Sequence, residues 1–247
     1  MIEVSQVSKH FGDKIAVDQV SFSLDDSTIT GFIGPNGAGK TTMLRMMTGI
    51  LPIDEGSIRL NTLDIQKEPL KAKQEFGFIS DNPDIFVAVK GIDYINFICN
   101  IYDVPKEVRQ ERLQGLLKDF EMEEAISQKI ESYSHGMRQK IHIIATLMHE
   151  PNIWILDEPM TGLDPQSSYL LKKKMKDHAK RGNIVLFSTH VLEVAEKLCD
   201  KIIIINKGKL AFQGTLDELK SMYPNQPLET IFLKVTGSVV MEGEKDE

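Results

Sequence analysis

Gly34, Pro35, Asn36, Gly37, Ala38, Gly39, Lys40 and Thr41 follow the pattern G-x-x-x-x-G-K-[ST]. Glycines at this spacing let the backbone curl until several N–H groups point at one centre, the arrangement an anionic phosphate needs. A lysine after the last glycine can reach β- and γ-phosphates, and the Thr41 hydroxyl can ligate Mg²⁺. The chemistry implied is the binding of a nucleoside triphosphate. Such a loop works between a strand and a helix. The apolar run Ile29 to Ile33 precedes it, and the helix-like stretch Thr42 to Ile50 follows.

Three further groups could complete such a site. Asp157 and Glu158 close the apolar run Ile153-Trp154-Ile155-Leu156. At the C-terminal end of a buried strand the aspartate can hold Mg²⁺, directly or through water, and the glutamate can act as general base toward a water. Ser188-Thr189-His190 ends another apolar strand, so His190 belongs on the same sheet edge, where it can donate to a γ-phosphate or position Glu158. Ser134 and Gly136 precede a helix and would present a hydroxyl and a backbone N–H at its N-terminus, a second anion site. Each group has an ordinary structural explanation when taken alone: a polar strand end, a structural histidine, an N-cap. Two helix N-termini from distant segments are more than one phosphate group needs, which suggests that the second serves a partner subunit.

The elements that must position these residues alternate. Strand patterns run over 2–7, 17–24, 29–33, 56–60 and 76–80, and from about 87 to 148 apolar residues recur at helical spacing. A strand at 153–156, a helix at 166–179, a strand at 184–188, a helix at 191–198 and a strand at 201–206 follow. Alternating βα units predict an α/β fold with a mainly parallel sheet. The N-terminal strands form an antiparallel subdomain, and the helical stretch is an insertion. The domain reading is a single unit over 1–238. Within it, 1–86 and 149–220 form the binding core with the β-subdomain, 87–148 the helical subdomain, and 221–238 a short extension. Residues 239–247 form an acidic, frayed tail.

Composition narrows the function classes. A net charge of −7 argues against a large nucleic-acid-binding surface, so no nucleic-acid partner is expected, and the run Lys172 to Lys176 reads as a solvated helix face. Cys99 and Cys199, in apolar helical stretches without CxxC spacing, read as buried free thiols of a reducing compartment. The N-terminus reads as no signal peptide, and the longest apolar runs are too short to span a bilayer. The expectation is a cytosolic chain whose membrane role would require a separate membrane protein.

Taken in order and spacing over nearly the whole chain, these motifs resemble the ATP-binding-cassette ATPases, the nucleotide-binding subunits of ABC transporters, whose core is a P-loop NTPase (RecA-like) fold. Gly34 to Thr42 resembles the family's Walker A loop, and Ile153 to Glu158 its Walker B strand with the catalytic glutamate. Tyr133-Ser134-His135-Gly136-Met137 stands in the place of the LSGGQ signature. Thr161-Gly162-Leu163-Asp164 matches the D-loop, His190 the switch histidine, and Phe11 the aromatic that stacks on adenine. The resemblance implies ATP and Mg²⁺ as ligands, with Thr41, Asp157 and Asp81 around the metal. It implies catalysis by Glu158 and His190, and nucleotide contacts from the Walker A residues (Thr42 included), Ser134, Gly136 and Asp164. It also implies a second cassette, identical or paralogous, sandwiching two ATP molecules, and a separate multi-spanning membrane subunit at the cytoplasmic face of the cell membrane. The loop from Ile79 to Phe86 and the helices after it would contact that subunit.

Two departures stand out. Asp81 occupies the place of a glutamine that touches Mg²⁺ and the attacking water. It can still ligate the metal but is shorter and donates no hydrogen bond, so it is expected to retune turnover or coupling; alternatively Asn82, or neither residue, takes the role. His135 replaces the signature's first glycine, which is compatible with function provided the ring points away from the nucleotide. The stretch 228–237 and the variants Tyr133 and Met137 to Lys140 resemble one bacterial exporter branch, favouring export over import, and the absence of a large C-terminal regulatory domain argues against sugar importers. The rival reading is a soluble cassette acting as an ATP-gated interaction or assembly switch without transport. A phosphate-loop kinase would need an acceptor site and a lid, and the signature and D-loop speak against it.

Overall fold

In the computed structural model, which describes residues 1–83 and 86–237, two sheets share the work. The first is antiparallel. It is built from β1 (Ile2–Phe11), β2 (Lys14–Leu24), β4 (Glu55–Leu60) and β5 (Leu63–Asp64) in the order β2-β1-β4-β5. Ile2 faces Leu24 on one side and Leu60 on the other, and the inward residues Ile2 and Val4 alternate with the exposed Glu3. That alternation is what a sheet with one wet face requires.

The second sheet carries the site. Its order is β10-β9-β3-β8-β7-β6, from β3 (Ile29–Ile33), β6 (Phe76–Ile79), β7 (Ile153–Leu156), β8 (Ile184–Thr189), β9 (Lys201–Asn206) and β10 (Lys209–Gly214). All pairs are parallel except β10 with β9. The register aligns the strand ends: Ile33 opposes Thr189, Leu156 opposes Phe187, and Ile79 opposes Leu156. The residues that follow these strands therefore emerge along one edge, where ligands bind in open α/β sheets.

Burial of both faces explains the unbroken apolar runs. Trp154 and Leu156 pack on one face with Phe187, Ile144 and Met148. Ile153 and Ile155 pack on the other with Phe32, Met43 and Met47. The second face holds α1 (Lys40–Met47) between the two sheets. The first is covered by α6 (Pro165–Lys180) and by the inserted helices α3 (Gly91–Ile101), α4 (Lys106–Phe120) and α5 (His135–Met148). Pro105 caps α4, and Gly115 lies within that helix without breaking it. The remaining helices are α2 (Pro69–Gln74), α7 (Leu192–Leu198), α8 (Leu216–Met222) and α9 (Leu228–Val235).

Differences from the sequence reading have local causes. The strand β10 was not expected. Its residues alternate between exposed and half-buried, the weak pattern of an edge strand, and a two-residue turn at Lys207 and Gly208, both at positive φ, folds it back on β9. Cys199 lies beyond α7 as its extended C-cap, not inside the helix. Its thiol presses on Gly31, where a Cβ would sit 2.6 Å from Sγ, and burial pushes its pKa up. Cys99 is fully buried, and neither cysteine is in a disulfide. The tail from 239 lies outside the described residues.

Candidate active site

The loop from Gly34 to Gly39 links β3 to α1. Gly39 is the N-cap of α1 with φ +108, and a Cβ there would lie 2.6 Å from the Ala16 carbonyl oxygen. Only glycine meets both demands at low cost. At Gly34 a Cβ would meet the Ile205 carbonyl oxygen at 2.4 Å. The Ala38 N–H donates to the Pro35 carbonyl at 3.1 Å, and the Ala38 carbonyl accepts from the Gly208 N–H at 2.9 Å. The loop is thus pinned by its own turn and by the β9–β10 hairpin.

Lys40 is 7 % exposed, and its Nζ donates to the carbonyls of Gly34 at 2.7 Å and Pro35 at 3.3 Å. It also lies 3.8 Å from Glu158 Oε1. Burial lowers its pKa, and the carboxylates of Glu158 and Asp157 oppose that. The ammonium is held inside the curl of the loop, aimed where phosphates would sit.

Asp157 is fully buried. Its Oδ1 accepts from Ser188 Oγ at 2.6 Å, and the Glu158 N–H donates to the same Ser188 oxygen at 2.8 Å. One hydroxyl of β8 therefore ties down both carboxylate residues that follow β7. Ser188 was passed over as a site residue in the sequence; its position beside His190 was the available signal. Burial pushes the Asp157 carboxyl upward, against the pull of Ser188 and Thr41. Its Oδ2 is buried without a hydrogen-bond partner of ordinary geometry among the described residues. A buried, unpaired carboxylate oxygen beside a threonine hydroxyl fits a hard cation. No cluster of three or more His, Cys, Asp or Glu could hold a metal alone among the described residues. Thr41 and Asp157 are the residues that would hold Mg²⁺ here.

Glu158 has φ +48, an uncommon backbone for a non-glycine residue, and it turns the side chain toward the loop. Its Oε2 lies 3.0 Å from His190 Nδ1. Glu158 borders two spaces: a cleft of about 750 Å³ over the phosphate loop, and a recess of about 170 Å³ that also contains His190. The larger cleft is lined by Phe11, Asn36, Gly37, Gly39, Lys40, Thr41, Thr42 and Asp81. Phe11 is half exposed at its rim. Lys14, Ile15, Ala16, Lys207 and Gly208 also line it and were missed in the sequence. They come from the start of β2 and from the β9–β10 turn, whose convergence no local pattern announces. Asp81 reaches the cleft with an oxygen 3.4 Å from the Arg45 guanidinium.

Ser134, Gly136 and Asp164 do not line this cleft. Ser134 caps α5, its Oγ accepting from the Met137 N–H at 3.3 Å. The helix start is bolted to the 161–164 turn. A Cβ on Gly136 would lie 2.6 Å from the Gly162 carbonyl oxygen, and the His135 ring covers Gly162. Asp164 caps α6 through the Ser167 N–H at 2.8 Å and pairs with Lys140 at 2.9 Å. These contacts, the Ser167 bond foremost, hold the Asp164 carboxyl well below the usual range.

Comparisons with known proteins point to one family. The ABC transporter family profile matches residues 17–161. The chain is 33 % identical over 238 residues to the ABC-type transporter ATP-binding protein EcsA of Bacillus subtilis, covering 96 % of each chain. It is 32 % identical over 223 residues to the Nod factor export ATP-binding protein I of Ralstonia nicotianae, covering 89 % of this chain and 68 % of that one. A solved ATP-binding subunit of an ABC transporter superposes with a TM-score of 0.91 at 28 % identity, covering 96 % of this chain and 99 % of the other. Phosphate loop, buried aspartate, glutamate–histidine pair and helical insertion thus occur together on a fold and a sequence of one kind, and the chain belongs to the ABC transporter family as an ATP-binding-cassette ATPase.

Proposed function

We propose that this ATPase powers export through a separate membrane-spanning partner, and that it works as a two-chain sandwich closed by ATP. The observation that carries the sandwich is the distance between functions within one chain. Ser134 and Gly136 offer an anion-binding helix start, yet neither lines the cleft that holds Lys40 and Glu158. A second cassette, facing the first head to tail, would bring its signature helix over this chain's phosphates. Cassettes of this family dimerise and act with membrane partners. Among the described residues no helix is long and apolar enough to cross a membrane. In this reading the chain would sit at the cytoplasmic face, held there by that partner. Export is supported by the Nod factor relative and by the resemblance of residues 228–237 to one bacterial exporter branch.

In the proposed reaction the loop N–H groups and Lys40 bind the phosphates. Phe11 offers a face to adenine, and Asp164 fixes the turn beside the signature helix. Thr41 and Asp157 would hold Mg²⁺, with Asp81 near; the ion would neutralise phosphate charge. Glu158 accepts a proton from the attacking water, and His190, 3.0 Å from Oε2, orients it and can donate to the γ-phosphate. Closure on ATP and reopening after hydrolysis would follow the differential contacts to the γ-phosphate.

Ser134→Glu tests the sandwich. A carboxylate facing the second chain's phosphates is expected to cut ATP-dependent dimer formation by about 100-fold. Fluorescent ATP analogue binding to the single chain would stay within about twofold, since Ser134 lies outside its own cleft. Sedimentation in ATP and Mg²⁺ reads the first and a titration the second. Dimers as stable as those of the unsubstituted chain would contradict the sandwich.

A further inference from the structure

His142 lies in the middle of α5, 6 % exposed, with both ring nitrogens engaged. Its Nε2 is 2.9 Å from the Pro83 carbonyl oxygen, and its Nδ1 is 2.9 Å from Tyr94 Oη. A carbonyl only accepts, so Nε2 carries the hydrogen and, in the neutral ring, Nδ1 accepts from the tyrosine. Burial pushes the Tyr94 pKa up, which keeps its hydroxyl a donor. The tyrosine ring meets the imidazole edge-on at 5.2 Å and packs on Phe86 at 5.4 Å.

The partners belong to three different elements. Pro83 sits two residues after Asp81, in the loop that leaves the catalytic edge of the sheet. Tyr94 is on α3. His142 is on the helix whose first residues follow Ser134. Asp81 lines the cleft, so the near end of this loop borders whatever occupies it. The far end is tied to the helical layer by the Glu131 N–H to the Val87 carbonyl at 2.8 Å and the Ile130 N–H to the Val89 carbonyl at 2.9 Å. His142 joins the same layer to the loop close to Asp81.

We propose that His142 is a positioning residue that locks the Asp81 loop to the signature helix, so that the cleft of one chain and the helix start it presents to a second chain move as one body. This rests on the two-chain reading of Ser134 and Gly136. The pull of a nucleotide on the near end of the loop is then delivered to the middle of α5 by the His142 side chain, alongside the backbone ties at Val87 and Val89. Removing that side chain leaves each anion site intact but lets them drift independently.

The test is made in the Glu158→Gln chain, which retains ATP. His142→Leu is expected to leave fluorescent ATP analogue affinity within about twofold while weakening the ATP-dependent dimer about tenfold, because two buried polar groups lose their partner. His142→Gln keeps a donor for Pro83 and an acceptor for Tyr94, and should restore the dimer to within about threefold. A merely structural role would show as lost nucleotide affinity and would not be rescued so selectively. Tyr94→Phe removes one bond and keeps the ring. It carries the test if His142→Leu does not fold, with a weakening of about threefold expected. The proposal is overturned if His142→Leu dimerises like its parent, if His142→Gln is as weak as His142→Leu, or if Tyr94→Phe leaves the dimer unchanged. A Glu158→Gln parent that stays monomeric in ATP and Mg²⁺ would sink the two-chain reading itself, a result distinct from a failure of His142 alone.

Discussion

Glu158→Gln is expected to lower ATP turnover by about 10²- to 10⁴-fold while leaving ATP bound and dimers accumulated. A glutamine has nearly the same shape, so it can keep the turn at φ +48 and the Ser188 bond to the backbone N–H. It cannot accept a proton from water. The phosphates are held elsewhere, by loop N–H groups and Lys40, so affinity should hold or rise slightly as a nearby negative charge is removed. The closed pair would then persist for want of the hydrolysis that reopens it. Phosphate release in single turnover, together with sedimentation in ATP and Mg²⁺, checks this. A variant that keeps more than about a tenth of the turnover would show that another group serves as base.

Lys40→Met is expected to weaken ATP binding about 10- to 100-fold, the cost of losing a charge-assisted bond of about 1.5–3 kcal/mol. The magnitude sits at the upper end because Lys40 is desolvated within the loop, with the Gly34 and Pro35 carbonyls holding its ammonium. The protein has met the burial cost in advance, so phosphate gains a pre-aimed cation. Methionine preserves the length of the stem within the buried channel, and the fold should survive with a modest loss of stability. Equilibrium titration with a fluorescent ATP analogue reads the effect. Affinity within twofold of the unsubstituted chain would mean that the loop N–H groups suffice and that Lys40 serves another purpose.

The fold class was legible because apolar period and turn chemistry agree along the chain. Continuous runs such as Ile153 to Leu156 announce strands covered on both faces, and their spacing with helices announces parallel pairing. Tertiary convergence was not legible. Ser188 looks like any strand serine until the register sets it beside Asp157. Lys14, at the start of β2, and Lys207, in the β9–β10 turn, are far apart in sequence, and only the position of the antiparallel sheet brings both to the cleft. The edge strand β10 hides in a half-exposed alternation. His135 illustrates the same limit: its type departs from the family pattern, but that its ring packs on Gly162 is readable only in three dimensions.

We propose that this ATPase serves a membrane partner. The most direct measurement is capture with tagged Glu158→Gln protein, in ATP and Mg²⁺, from detergent-solubilised membranes of the native cell. The expected result is one multi-spanning membrane protein recovered in stoichiometric amount, and its loss when ATP is omitted. Recovery of soluble partners alone, with the chain absent from the membrane fraction, would contradict the transport assignment and identify an ATP-gated soluble switch.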